Sequence, residues 1–158
     1  MRKRIQHLPK LAQRNHFVHL RQWTCDSISG EMERPLIVGI GEVLWDVFPN
    51  EKCFGGAPAN FVAHCAAMGA DARMVSAVGK DELGILAREE MTARGIPMEH
   101  VAASDHATGT VTVTLDADGK ADYVFASDTA WDRLEWNEAL ADLAASVDVV
   151  CFGTLGQR

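Results

Sequence analysis

Apolar positions change their spacing several times along this chain, and each change marks an element. Leu36–Val43 is an almost continuous run of apolar residues and glycine, the pattern of a strand buried on both faces of a parallel sheet. Trp45–Lys52 breaks that run, and Pro49-Asn50 is a turn signal, so the segment reads as a loop. Phe61, Val62, Cys65 and Met68 then recur at helical spacing. Pro58 suits the first turn of that helix, where the N–H it lacks has no intrahelical partner, and Gly69 suits its end. Ala72–Val78 reads as a second strand. Asp81 is a good N-cap for a helix over ELGILAREEMTAR, which Gly95-Ile96-Pro97 closes.

The period then drops to two. GTVTVTLDADGKADYVFAS alternates on both sides of Asp118-Gly119, a hairpin signal, with Val111, Val113 and Leu115 on one face. Trp136–Ser146 returns to a helix and Asp148–Phe152 (DVVCF) to a buried strand. Strands alternating with helices, interrupted by one antiparallel hairpin, predict an α/β fold: a layered, mostly parallel sheet with flanking helices and a small β excursion. A parallel strand normally leads to a crossover helix and a neighbour, so a chain stopping at Gly153–Arg158 is expected to be incomplete at its C-terminus. The uncovered apolar edge of that last strand is expected to promote self-association.

With 158 residues, 47% of them hydrophobic, the chain can build one domain around a real core. Its net charge of −7 is unevenly spread: residues 1–31 hold six Lys/Arg against two acids, a net of +4 that leaves −11 on the remainder. An acidic body disfavours nonspecific binding to nucleic acid or anionic membrane, and no apolar stretch approaches membrane-spanning length. Residues 1–34 read as a basic leader, disordered or belonging to an over-extended start, because Met32 stands just ahead of the first strand. An organelle transit peptide and a nucleic-acid-binding arm are the alternatives for it.

Cys25, Cys53, Cys65 and Cys151 form no CxxC pair, which favours reduced, buried thiols in a cytoplasmic protein. His64, His100 and His106 lack ligand spacing, so no metal site is expected. Trp45 is expected to pack rather than to bind, and Trp131 and Trp136 to make core or helix-start contacts.

Chemistry concentrates in CFGGAPAN. Gly55 and Gly56 leave the backbone bare and free to take positive φ. The helix starting near Pro58 offers free N–H groups, with Asn60 in its first turn. Asp46, also beyond the first strand, adds a carboxylate that accepts hydrogen bonds from hydroxyls. At the carboxyl ends of parallel strands such a set suits a polyol better than a phosphate, because no Lys or Arg lies inside the loop. A plain strand–turn–helix with no ligand remains the alternative reading of these residues. Two phosphate-loop readings fail. Gly39–Leu44 has Leu44 where a dinucleotide fingerprint needs its third glycine. Gly79-Lys80 is followed by Asp81 rather than Ser or Thr, with Met74 at the earlier glycine position.

VGIGEVLWDVFP followed by GGAPANFVAHCAAMGADARMVSAVGKDELG resembles the amino-terminal half of the ribokinase-like, or PfkB, carbohydrate kinases. The resemblance runs from about Pro35 to the end and rests on elements in order. These are the Gly-Glu strand leading to Asp46, the di-glycine with Asn60, Val78-Gly79-x-Asp81-x-x-Gly84, the Gly109-Thr110 hairpin, and the closing FGTLGQR. FASDTAWDRLEW and FGTLGQR look most like the fructokinase-type branch. The resemblance implies that Asp46 accepts from sugar hydroxyls, that Gly55 and Gly56 form the hinge and floor of the sugar site, and that Asn60 binds the sugar. It also implies that a hairpin of about 109–126, opened by Gly109 and Thr110, belongs to a lid closing over the substrate, and that Gly79, Asp81 and Gly84 are structural. The complete enzyme would use ATP and Mg²⁺ to phosphorylate a hydroxyl of fructose or a related sugar. Its catalytic aspartate, in a Gly-Ala-Gly-Asp motif, would lie beyond residue 158, so this chain is expected not to turn over alone. A non-catalytic sugar-binding module, or a homodimer formed through the lid, is the alternative. A nucleic-acid-associated protein using the leader is a third.

Overall fold

The computed structural model describes residues 34–157, and all of the basic leader (1–34) but its last residue lies outside them. Two four-stranded sheets share the chain. The first has the order β5-β4-β1-β8 and is parallel throughout, built from β1 (Leu36–Ile40), β4 (Asp71–Gly79), β5 (Val101–Ser104) and β8 (Val149–Phe152). The second has the order β3-β2-β6-β7, from β2 (Leu44–Val47), β3 (Lys52–Gly55), β6 (Gly109–Leu115) and β7 (Ala121–Phe125). In it β2 runs parallel to β6, while β3 and β7 are antiparallel to their neighbours. The helices are α1 (Ala57–Ala67), α2 (Glu82–Ala93) and α3 (Glu138–Ser146), with a 3₁₀ turn at Ala130–Arg133. None of the described helices is long and apolar enough to cross a membrane.

The parallel sheet carries the main core. Val62 and Cys65 of α1 and Ala87 and Met91 of α2 bury against Met74, Val78 and Val101 of the sheet, with Ile96 from the following loop. Each Val, Ile or Met side chain among them contributes roughly 1.5–3 kcal/mol on removal from water. The opposite face is thinner. α3 has no buried residue and stands off Val38, Val75 and Val150, leaving an apolar gap of about 300 Å³ lined by Leu140, Leu143 and Val147. Val149, Val150 and Phe152 of the edge strand β8 are exposed.

Four expectations need correction. Trp45–Lys52 is not a loop: Leu44–Val47 is strand β2, and Pro49-Asn50 turns it into β3. The first strand accordingly stops at Ile40, because Gly41 takes φ +137 and redirects the chain into the second sheet. β5 is a strand that the apolar pattern does not mark, since Val101–Ser104 carries a single large apolar residue and is held by its pairing to β4. Trp136 is 73% exposed and Cys53 is exposed, whereas Trp131 and Cys65 are buried.

The second sheet is anchored to the first at its root. The Trp45 indole N–H donates to the Leu83 carbonyl of α2 at 3.0 Å, and its ring meets Phe54 edge-on at 5.6 Å. Asp81 makes a second anchor. Its carboxylate accepts the Gly84 N–H as the N-cap of α2, and also the N–H and hydroxyl of Thr108, the residue just before β6. The Thr108 oxygen in turn accepts the Gly79 N–H at 2.9 Å. Gly84 must be small, because a Cβ there would overlap the Gly79 carbonyl. Gly79, Asp81 and Gly84 thus form one structural knot.

Burial pushes the Asp81 carboxyl up, but the hydrogen bonds from Thr108 and Gly84 outweigh it and hold the group below its ordinary value. A carboxylate depressed on folding stabilises the protein above its unfolded pKa, and that contribution is lost as pH falls through the folded value. Asp81→Ala is therefore expected to cost about 3 kcal/mol at pH 7, from one cap and two charge-assisted bonds. The deficit should shrink as pH falls through the folded value, where the wild-type carboxylate takes up its proton as well. Urea unfolding over a series of falling pH from 7 checks this, and a deficit that stays the same throughout the series would contradict it.

Candidate sugar site at the lid hinge

The site residues gather where the two sheets meet. β1 ends at Ile40, the chain turns through Gly41 and Glu42, and β2 carries Asp46 away from the body. β3 brings the chain back antiparallel, so Leu44 faces Gly55 and Asp46 faces Cys53 across the ladder. Gly55 closes β3, Gly56 is the N-cap of α1, and Asn60 lies one turn into that helix, its N–H on the Gly56 carbonyl at 2.9 Å. Asp46, Gly55, Gly56 and Asn60 are thus brought to one junction.

Close packing explains the glycines. A Cβ on Gly55 would stand 2.8 Å from Asp46 Oδ2, so the carboxylate lies directly over that residue. Gly56 sits at φ +112, and a Cβ there would overlap the carbonyl oxygen of Glu42. Asp46 shares its face of β2 with Leu44, and on that face Leu44 clusters with Val111 and Val113. Partial burial in this apolar setting pushes the Asp46 carboxyl above its ordinary value. No hydrogen bond to its side chain forms among the described residues. The Asn60 side chain is exposed.

Gly109 and Thr110 stand on the far side of β2. They open β6 and pair with Leu44 and Trp45, so Gly109 lies two strands from Gly55. Gly109 also seats the buried Trp131, whose Nε1 is 2.6 Å from where its Cβ would be. The hairpin read from the sequence is therefore half of the four-stranded second sheet, and β2 and β3 are the other half.

Three further buried residues support the junction: Glu42, 4% exposed against Gly56; Thr108 just before β6; and Trp131 against Gly109. Glu42 and Trp131 lie in stretches read as structural, and Thr108 lies in a loop, so only their partners reveal them. A cavity of about 290 Å³ opens beyond β1 and β8, lined by Gly41, Trp131, Asp132, Phe152 and Gly153, but neither Asp46 nor Asn60 lines it. Among the described residues no group of three or more His, Cys, Asp and Glu side chains could hold a metal ion.

Known proteins share this fold. The sequence profile of pfkB family carbohydrate kinases matches residues 36–158. The chain is 30% identical over 112 residues to a fructokinase from Salmonella typhimurium, covering 67% of this chain and 36% of that protein. In fold it is similar to a sugar kinase from Pyrococcus horikoshii, with a TM-score of 0.69 and 26% identity over 76% of this chain and 43% of the other. That kinase has also been solved in complex with ATP. A fructokinase from Vibrio cholerae aligns with a TM-score of 0.57 and 27% identity, over 62% of this chain and 36% of its own. The chain thus spans well under half the length of these relatives. The profile match extends over most of the chain, so this chain belongs to the pfkB family of carbohydrate kinases.

Proposed function

We propose that residues 35–158 form the sugar-binding half of an ATP-dependent, fructokinase-like carbohydrate kinase. The observation that carries this is the Asp46 carboxylate, partly buried over Gly55 and without a partner among the described residues, beside the bare backbone of Gly56. Such a group accepts from neighbouring sugar hydroxyls, Asn60 supplies an amide, and the lid bearing Gly109 and Thr110 closes over the ring. Closure would exclude water, which competes with the sugar for the phosphoryl group. The similarity to fructokinases favours fructose or a related sugar.

Phosphoryl transfer needs charge neutralisation and a base at the γ-phosphate. No donor set for Mg²⁺ gathers among the described residues. ATP and Mg²⁺ belong to the proposed reaction of the complete enzyme. The 158-residue polypeptide is expected to bind sugar without turning it over. Titration with fructose, ribose and 2-keto-3-deoxygluconate, followed by tryptophan fluorescence, tests the first half. ADP release with ATP, Mg²⁺ and the same sugars tests the second. Release above background would overturn the half-site reading, and absence of binding by every sugar would overturn the sugar reading itself. We place the protein in the cytoplasm.

One observation favours a second reading, a dimerisation module. Leu115, Tyr123, Val124 and Phe125 are exposed apolar residues on the outer hairpin of the lid, and β7 is an edge strand. Such edges template strand pairing with another chain. Sedimentation equilibrium is expected to show a dimer that Val124→Lys dissociates, and a wild-type monomer at high concentration would exclude it.

A further inference from the structure

The N-terminus of α1 is capped from a distance. Its N-cap, Gly56, offers no side-chain acceptor, and its first turn carries no acidic residue. Helices are commonly capped locally by Ser, Thr, Asn or Asp. Here the acceptor arrives from 15 residues upstream, as Glu42 Oε1 takes the Ala57 N–H at 3.3 Å. Glu42 lies in the turn leaving β1 and is only 4% exposed. Its other oxygen, Oε2, is buried without a hydrogen-bond partner among the described residues.

The same side chain is confined on its other flank. Oε2 is 2.6 Å and Oε1 3.1 Å from where a Cβ would stand on Gly153, at the end of β8. The Glu42 carbonyl presses on Gly56 from behind. A carboxylate removed from water needs compensation, and the positive end of α1 supplies it. A capping serine cannot stand at position 56, because its Cβ would overlap the Glu42 carbonyl oxygen at a backbone φ of +112, so the acceptor comes from the Glu42 side chain instead.

We infer that Glu42 is a positioning residue for the hinge: its carboxylate, clasped between the first turn of α1 and Gly153 of β8, sets where Gly56 and Asn60 stand relative to Asp46. This rests on the reading of Asp46 and Asn60 as the sugar-binding pair. The link also makes the end of β8 part of the hinge, so a shift of Gly153 is transmitted to the first turn of α1.

Hydrogen–deuterium exchange and fructose titration on the 158-residue chain test it. Glu42→Ala is expected to raise exchange over residues 56–60 about tenfold or more, while α2 (82–93) keeps its protection, and to weaken fructose binding about tenfold. Glu42→Gln keeps the shape and the acceptor toward Ala57, and is expected to restore the protection and most of the affinity. The inference is overturned if residues 56–60 exchange as in wild type, or if their exchange rises in step with that of α2, which marks general destabilisation. Should Glu42→Ala fail to fold, Glu42→Asp, one methylene short, should loosen residues 56–60 while Glu42→Gln does not, and equal protection in those two overturns it. A wild-type chain that binds no fructose defeats the sugar reading, whereas the exchange pattern still decides whether Glu42 orders the hinge.

Discussion

Replacing Gly56 by alanine is expected to lower the melting temperature by more than about 10 °C and to abolish sugar binding. Two penalties coincide there. The residue holds φ +112, where an L side chain costs about 1–3 kcal/mol. The added methyl would also overlap the Glu42 carbonyl oxygen and stand 3.4 Å from the Val43 Cα, and overpacking of this kind costs about 1–3 kcal/mol more. Backbone lines both contacts, so no flexible side chain can swing away. A loss of roughly 3–5 kcal/mol in a domain of this size corresponds to the stated shift. Gly69→Ala is the control. It has φ +91 but nothing within 4 Å, so only the backbone penalty, about 1 kcal/mol, applies. Thermal melts that place the two variants within a few degrees of each other would show that the strand–helix junction is not built as described.

Asp46→Asn is expected to weaken sugar binding by about 100-fold or more while leaving the fold intact or slightly more stable. Losing two charge-assisted hydrogen bonds to hydroxyls removes about 3 kcal/mol or more. The stability sign runs the other way. Burial raises the Asp46 carboxyl, so the folded state holds its proton more tightly than the unfolded chain. That contribution is present below the unfolded pKa and is lost as pH rises through the folded value, which leaves an ionised, partly buried carboxylate at neutral pH as a net cost. An uncharged amide relieves it. A urea midpoint at or above wild type together with lost fructose affinity is the expected pair of results. A destabilised variant with unchanged affinity would assign Asp46 to structure instead. Asp46 and Asp81 are thus expected to respond to pH with opposite signs, the first held for a ligand and the second for the fold.

The sequence by itself determined three of the four strands of the parallel sheet, the two long helices, the Asp81 cap and the outer hairpin. Each of these depends on local terms. Ala72–Val78 is apolar almost throughout because both faces are covered; Asp81 and Gly84 meet within one helical turn; and Val111 and Val113 alternate with threonines because only one face of the second sheet packs. The candidate site residues were legible too, since adjacent glycines before a proline, with Asp46 and Asn60 nearby, lie within 15 residues of one another.

What the local pattern could not show was the partner of each group. Leu44–Val47 is short and contains a polar residue, so it reads as a loop until β3 and β6 supply hydrogen bonds on its two edges. Val101–Ser104 becomes a strand only against β4. Glu42 reads as one polar residue in an apolar run, and its meaning comes from Ala57 and Gly153, the latter more than a hundred residues away in the chain. Trp136, apolar and next to a helix, remains exposed because α3 stands off the sheet. Hydrophobic periodicity reports whether a residue is buried, and turn chemistry reports where the backbone bends. Which backbone edge or buried oxygen lies opposite is set by contacts between distant segments, and only the tertiary structure brings those together.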